Sequence, residues 1–223
     1  MQDVLPAVRL SLCVSIAATT LCAVFGIPLG CLIATREFAT KRLLLSILNT
    51  LLSIPTVVVG LLVYSMICRR SVLGFLDLLY TPSAIITGQV ILALPIMVTF
   101  THAAVASVDK TAAETARTLG ADGIVTTMVT ISEARLGILA AVAATFGRLI
   151  GEVGVSMIVG GNIWGYTRTM TTAIALEASK GEFVTALKLG GILLLIALAV
   201  NALLQCLKGE SGPGEPKRSS WTG

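Results

Sequence analysis

Five apolar runs, at residues 10–34, 43–67, 83–108, 134–159 and 183–207, constrain this chain more than any other feature. The first three contain no Asp, Glu, Lys or Arg. A helix rises about 1.5 Å per residue, so each run is long enough to cross a hydrocarbon core of about 30 Å. Inside lipid every backbone N–H and C=O must be paired within the protein, which leaves helices as the solution for runs of this length. The fold class that follows is all-α and polytopic, with five transmembrane helices. Charge agrees: 13% of residues are charged and mean hydropathy is +0.92, against roughly 25% charged in soluble domains. The first run is too long for a signal-peptide core and follows Asp3 rather than a basic cluster. Such a chain is expected in a cell membrane, with lipid as its main surroundings.

The runs contain local irregularities. Gly26, Pro28 and Gly30 are expected to bend or loosen the last third of the first run, since Pro28 lacks a backbone donor. Pro55 and Pro95 lie within the second and third runs, where neighbouring helices can satisfy the freed carbonyls. Residues 160–182, rich in Thr, Gly and Ser, read as a connector. The domain division expected is 1–207 as one membrane domain and 208–223 as a disordered tail, rich in Gly, Pro, Ser and charge. With five spans the termini lie on opposite sides. If the 109–135 loop is cytoplasmic, its side carries nine Lys and Arg outside the spans and the other side five. This bias predicts the N-terminus outside and the C-terminus in the cytoplasm.

The long loop at 109–135 carries three basic and four acidic residues between two apolar runs. Thr111 and Glu114 have capping-box spacing, which predicts a short helix from Thr111. Ala112, Ala116 and Leu119 then share a face, and Gly120 and Gly123 supply stop signals. Thr130 and Glu133 offer a second capping box into the fourth run. Such a helix either docks into a groove on another protein or is simply a helical surface loop.

Arg148 and Glu152 are four apart on the fourth run and so share a helix face. A mid-bilayer charge costs at least about 2.5–3.5 kcal/mol on insertion scales, so both should face protein or a wet cavity. One reading is a gate or anion path; the other is a self-neutralising pair that pins packing beside Gly147 and Gly151. A homodimer seam is expected near the third and fourth runs, through Gly88, Gly147, Gly151 and Gly154. Asn162, Thr167 and Thr169, on the predicted outer side, either line an entrance or cap helices. Lys188 can reach the interface along its own stem.

Several classes are excluded. No G-x-x-x-x-G-K-[ST] phosphate loop occurs, so any ATP chemistry belongs to another subunit. The five cysteines form no C-x-x-C pair; Cys13, Cys22 and Cys31 are nine apart, placing successive ones on opposite helix faces. His102 is the only histidine, which is too few for a metal site. Neither a cofactor nor a metal is expected, and the chain does not read as an enzyme. A net charge of +4 without aromatic-interleaved basic patches excludes nucleic acid as a partner.

Glu114-Thr115-Ala116, followed after three residues by Gly120 and then by Ile131, resembles the EAA loop of ABC-importer permease subunits. Thr115 departs from that pattern, as do Ser132-Glu133 where many members have Leu-Pro. The opening run with Gly26-Ile-Pro-Leu-Gly30, and Asn49 to Tyr64, resemble the molybdate, tungstate and sulfate group. Leu79-Tyr-Thr-Pro82, Glu133-Ala-Arg135, Gly147 to Gly154 and Gly160 to Arg168 look most like the tungstate-importer permeases. The resemblance implies a type I importer permease fold, with 109–135 as the cytoplasmic coupling helices. It implies Glu114, Thr115, Ala116, Gly120 and Ile131 as the ATPase-docking set. It also implies two ATP-binding subunits, an extracytoplasmic solute-binding protein, a second copy of this chain, and an oxyanion cargo. Molybdate or sulfate is the alternative cargo. An ATP-independent secondary transporter is the alternative machine, though no internal duplication is visible.

Overall fold

The computed structural model describes residues 4–71 and 73–207, which hold ten α-helices and no strand. The tail expected at 208–223 lies outside the described residues. Three helices are long and apolar enough to span a membrane, at Leu5–Thr35, Pro82–Ala106 and Phe183–Leu203. Two bent helix pairs bring the candidate spans up to five.

Helix α1 runs unbroken over Val4–Thr35 with Pro28 inside it. The loosening expected there does not occur: Pro28 is exposed, while Gly26 and Gly30 on the opposite face pack closely against the helix at Pro82–Ala106. Ala18, Cys22, Gly26 and Gly30, four residues apart, form one buried stripe. A Cβ on Gly26 would lie 2.7 Å from Met97 Cγ, and one on Gly30 would lie 2.7 Å from Thr101 Cβ. Small residues at this spacing let two backbones approach closely. Cys13 is exposed and Cys22 buried, as the nine-residue spacing predicts, but Cys31 is buried as well. Val105 and Ala134 enclose the end of α1 from a second side.

The second run is two helices, α2 (Lys41–Leu51) and α3 (Thr56–Ile67), which meet at 99°. Pro55 is not absorbed within a span as expected; it sits extended, ψ 131°, as the residue that opens α3. Its missing donor and fixed φ end the helix there. Helix α4 is Pro82–Ala106, and Thr81 Oγ1 accepts from Ala84 N at its start.

Next come α5 (Lys110–Thr118), α6 (Gly123–Glu133), α7 (Arg135–Ile150) and α8 (Gly154–Gly160). The fourth run is therefore interrupted at 151–153. The 160–182 connector contains a helix that its composition did not reveal, α9 (Met170–Ser179). Thr169 and Thr172 cap it reciprocally, a role usually shared between Thr and Glu. Helix α10 (Phe183–Leu207) has the limits of the fifth run, with Leu187, Leu194 and Leu195 exposed along its length.

The core lies between α1, α3, α4 and α8, where Val14, Val63, Ile85, Val155 and Val159 meet. Ala7 at the start of α1 packs on Met170, Ala173 and Leu189, whereas Cys31 near its end packs with Val105, Ala134 and Ile131. The 160–182 segment and the α5–α6 segment therefore lie at opposite ends of the bundle, about 36 Å apart along α1.

Candidate functional site

The break between α7 and α8 carries the exceptional charges. Arg148 Nη1 donates to Glu152 Oε2 at 2.7 Å. The two side chains are unequal: Glu152 is 2% exposed and Arg148 42%. Glu152 stands in the break itself rather than on a continuous helix. Its Oε1 accepts from Val155 N at 3.2 Å, satisfying one of the donors that start α8.

Other helices supply two bonds to the break and one beside it, at the start of α9. Gln89 Nε2, from α4, donates to Leu149 O at 3.4 Å, and Thr171 Oγ1, from α9, donates to Glu152 O at 2.7 Å. Ser11 Oγ, from α1, accepts from Met170 N at 2.8 Å. All three side chains are buried. Backbone freed inside a membrane is tolerated only with such partners. Gly147 and Gly151 do not pin packing within this chain, since a Cβ on Gly147 meets nothing within 4 Å and one on Gly151 only Gly147 O at 4.0 Å. Gly88 and Gly154 are unavailable to a second copy: Gly88 is filled by Val155 and Gly154 by Thr56 and Val57.

At the far end, α5 begins at Lys110, one residue earlier than predicted. Asp109, not Thr111, supplies the cap: its Oδ1 accepts from Thr111 N at 3.0 Å and from Thr111 Oγ1 at 2.7 Å. These bonds favour the ionised form and hold the Asp109 carboxyl below the usual carboxylate range. Gly120 ends the helix at φ +87°, with Ala121 N donating back to Ala116 O at 3.0 Å. This is a Schellman ending, which requires a left-handed residue. Gly123 is not a stop; it opens α6, where Asp122 Oδ1 accepts from Val125 N at 2.8 Å. The second capping box does not form, because Thr130 Oγ1 donates to Thr126 O and α7 has no side-chain cap.

Glu114 and Thr115 are exposed, Ala116 is partly covered, and Ile131 packs on the Cys31, Val105 and Ala134 cluster. Leu119 is 84% exposed, and Ile124, Val125 and Met128 on α6 are exposed as well. Four large apolar side chains exposed in the charged 109–135 loop make it suited to a protein partner. Sequence reasoning found Leu119 but missed the α6 members, because it read Gly123 as an ending.

In the 160–169 turn, Thr167 and Thr169 are buried. Thr167 Oγ1 accepts from Ile163 N and donates to Gly160 O, while Thr169 caps α9. Asn162 is half-buried, and its Oδ1 accepts from Arg168 Nε at 3.1 Å. Among the described residues no group of three or more His, Cys, Asp or Glu is gathered.

A family model described as a binding-protein-dependent transport system inner membrane component matches residues 26–208. A Haloferax volcanii protein named "Probable anion ABC transporter permease protein" is 43% identical over 198 residues, which cover 86% of this chain and 85% of that one. The "Tungstate uptake system permease protein TupB" of Peptoclostridium acidaminophilum is 40% identical over 201 residues, 90% of this chain and 88% of its own. A solved chain of the MetNI methionine ABC transporter, in an inward-facing form, superposes with a TM-score of 0.72 over 93% of this chain and 94% of its own. At 18% identity that likeness concerns the fold, which is the type I importer permease fold. This multi-pass membrane chain therefore belongs to the family of binding-protein-dependent transport system inner membrane components, the permeases of ABC importers.

Proposed function

We propose that this chain is the permease subunit of an ATP-driven importer that carries tungstate. The exposed apolar and charged surface of α5 and α6 is the observation that carries the machine. A chain without its own phosphate loop needs an ATPase, and this surface offers one a place to dock. Glu114, Thr115, Ala116 and Gly120 form the docked helix and its ending, and Ile131 ties that helix pair to the spans. ATP hydrolysis then belongs to the docked subunit, which places α5 and α6 in the cytoplasm. A solute-binding protein delivers cargo at the opposite end, where Asn162 and Arg168 lie. The N-terminus is outside the cell membrane and the C-terminus in the cytoplasm, and residues 1–207 form the membrane domain.

Two copies pair through the open face of Gly147 and Gly151, which brings the half-exposed Arg148 residues to the path between them. Glu152 holds each Arg148 from behind. The cargo assignment rests on the relative that is named for tungstate. Molybdate and sulfate share its tetrahedral dianionic form, so uptake into proteoliposomes with all three in competition decides among them. Glu114→Lys should release the ATPase from the detergent-purified complex without changing the amount of this chain in the membrane. A partner fully retained would refute the docking.

A further inference from the structure

Opposite α5 and α6, the start of α1, the 161–168 turn, α9 and the start of α10 enclose a cavity of about 400 Å³. Its polar wall holds Arg168, Lys180 and Glu177, and its apolar side holds Leu10, Leu189 and the Trp164 ring. Lys180 Nζ bonds Glu177 Oε1 at 2.8 Å, so these two charges offset each other and Arg168 leaves the wall with one net positive charge.

The guanidinium is held in place. Nε donates to Asn162 Oδ1 at 3.1 Å and Nη2 to Asn162 O at 3.3 Å, which leaves Nη1 for another acceptor. Its central carbon lies 5.8 Å from the centre of the Trp164 ring. Buried Thr167 fixes the turn behind it. A prepositioned guanidinium suits phosphate and other tetrahedral oxyanions better than a mobile ammonium does.

We propose that this cavity binds a tetrahedral oxyanion group, and that its natural source is the phosphate of an anionic phospholipid headgroup. The apolar side has no use for a free inorganic anion, but it accommodates the glycerol and first methylenes of a lipid. Thr185 and Leu189 of α10 line the cavity, and Leu187 and Leu194 elsewhere on the same helix are exposed. Exposed Trp164 and Tyr166 are the residue types that settle at headgroup level. Arg168 is the phosphate contact, and Lys180, just past α9, neutralises Glu177 beside it.

The test uses the full chain carrying Trp221→Phe, which leaves Trp164 as the only indole. The chain is reconstituted in phosphatidylcholine vesicles containing a small fraction of brominated phosphatidylglycerol or brominated phosphatidylcholine. Brominated phosphatidylglycerol should quench Trp164 about threefold more steeply, the size of one partly screened charge contact. Arg168→Gln should abolish that excess. Lys180→Gln, at an exposed side chain, leaves Glu177 uncompensated, so it should reduce the excess, and it covers the case in which the Arg168 variant fails to fold. Both lipids carry a phosphodiester, so equal quenching overturns the anionic headgroup as the source. If sodium tungstate then shifts Trp164 emission saturably and only with Arg168 present, the cavity takes a free oxyanion instead. Equal quenching with no response to tungstate overturns the site altogether.

Discussion

Two joints in this chain interrupt a helix next to glycine, and they are stabilised in opposite ways. The α5–α6 joint at Gly120 uses only neighbours in sequence: Asp109 caps α5, Gly120 turns left-handed to end it, and Asp122 starts α6. The α7–α8 joint at 151–153 uses Gln89 from α4 and Thr171 from α9 together with its own Glu152. The first is surrounded by exposed residues; the second buries Glu152 and its Gln89 and Thr171 partners, although Gly151 and Val153 are exposed. Where water can satisfy a loose N–H or C=O, local caps suffice; in the membrane interior each freed group needs a protein partner. The α5–α6 joint can therefore yield one turn at a time, whereas the α7–α8 joint, bonded to two other helices, should fail as a unit.

The sharpest way to break this contrast is at the ion pair. Arg148→Met strands a carboxylate that is 2% exposed; losing one partner of a fully buried pair costs about 3–5 kcal/mol, and the half-exposed Arg148 puts this pair at or below the low end. Glu152→Gln should cost less, because Arg148 is already 42% exposed and keeps part of its solvation. The double variant carries neither charge and should recover much of the folded fraction lost by Arg148→Met. Size-exclusion profiles and thermal midpoints in detergent measure all three. Equal losses from both single variants, adding in the double, would show that the pair is not coupled through the break. Tungstate uptake normalised to folded protein then separates roles: a double variant that folds but transports nothing assigns the pair to the path.

The same contrast decides what could be read in advance. Helix-scale features were legible: apolar runs marked α1, α4 and α10 closely, because a span needs length and apolarity and little else. The exposed loop was legible in outline. Gly120 announces its ending, although Asp109 took the cap from Thr111, a competition between adjacent short polar residues that spacing alone does not resolve. The α7–α8 joint was half legible. Arg148 and Glu152 stood out as membrane charges, but nothing local shows that Gly151 ends a helix there. That ending depends on Gln89 and Thr171, 60 and 19 residues from their bonding partners, and one-dimensional patterns carry no trace of such pairings. Helix α9 was hidden for a related reason. Its cap is a Thr–Thr pair, and its residues looked like connector because their burial is set by α1 and α10.

At the exposed joint a smaller and purely local effect is expected. Gly120 sits at φ +87° with open space around it, so a side chain there is opposed by the backbone alone. Gly120→Val should cost about 1–2 kcal/mol, confined to the end of α5. Gly120→Asn should recover most of it, since Asn tolerates the left-handed region. Hydrogen exchange should quicken about tenfold over residues 115–121 and stay unchanged across α1 and α4. Faster exchange spreading into α4 would mean that the joint is coupled to the spans, and the contrast with the α7–α8 break would fail.

The smallest effect should come from the Asp109 cap and appear only in acid. Hydrogen bonds from the Thr111 N–H and hydroxyl lower the Asp109 pKa in the folded loop. A lowered folded value means that the cap contributes fully above the unfolded value of about 3.9 and is lost as pH falls through the folded one. Between pH 8 and 5 nothing should change, and below that window the first turn of α5 should loosen. A spin label at residue 119 would report this as rising mobility on acidification. Asp109→Asn keeps an acceptor oxygen for the Thr111 N–H but cannot titrate, so this acid response should vanish while the neutral-pH mobility stays near that of the parent. A response persisting in Asp109→Asn would place the acid-sensitive group elsewhere, with Asp122 at the start of α6 the next to substitute. A transition centred well above pH 5 would contradict the direction of the shift itself, and the loop would then depend on something other than its own local caps.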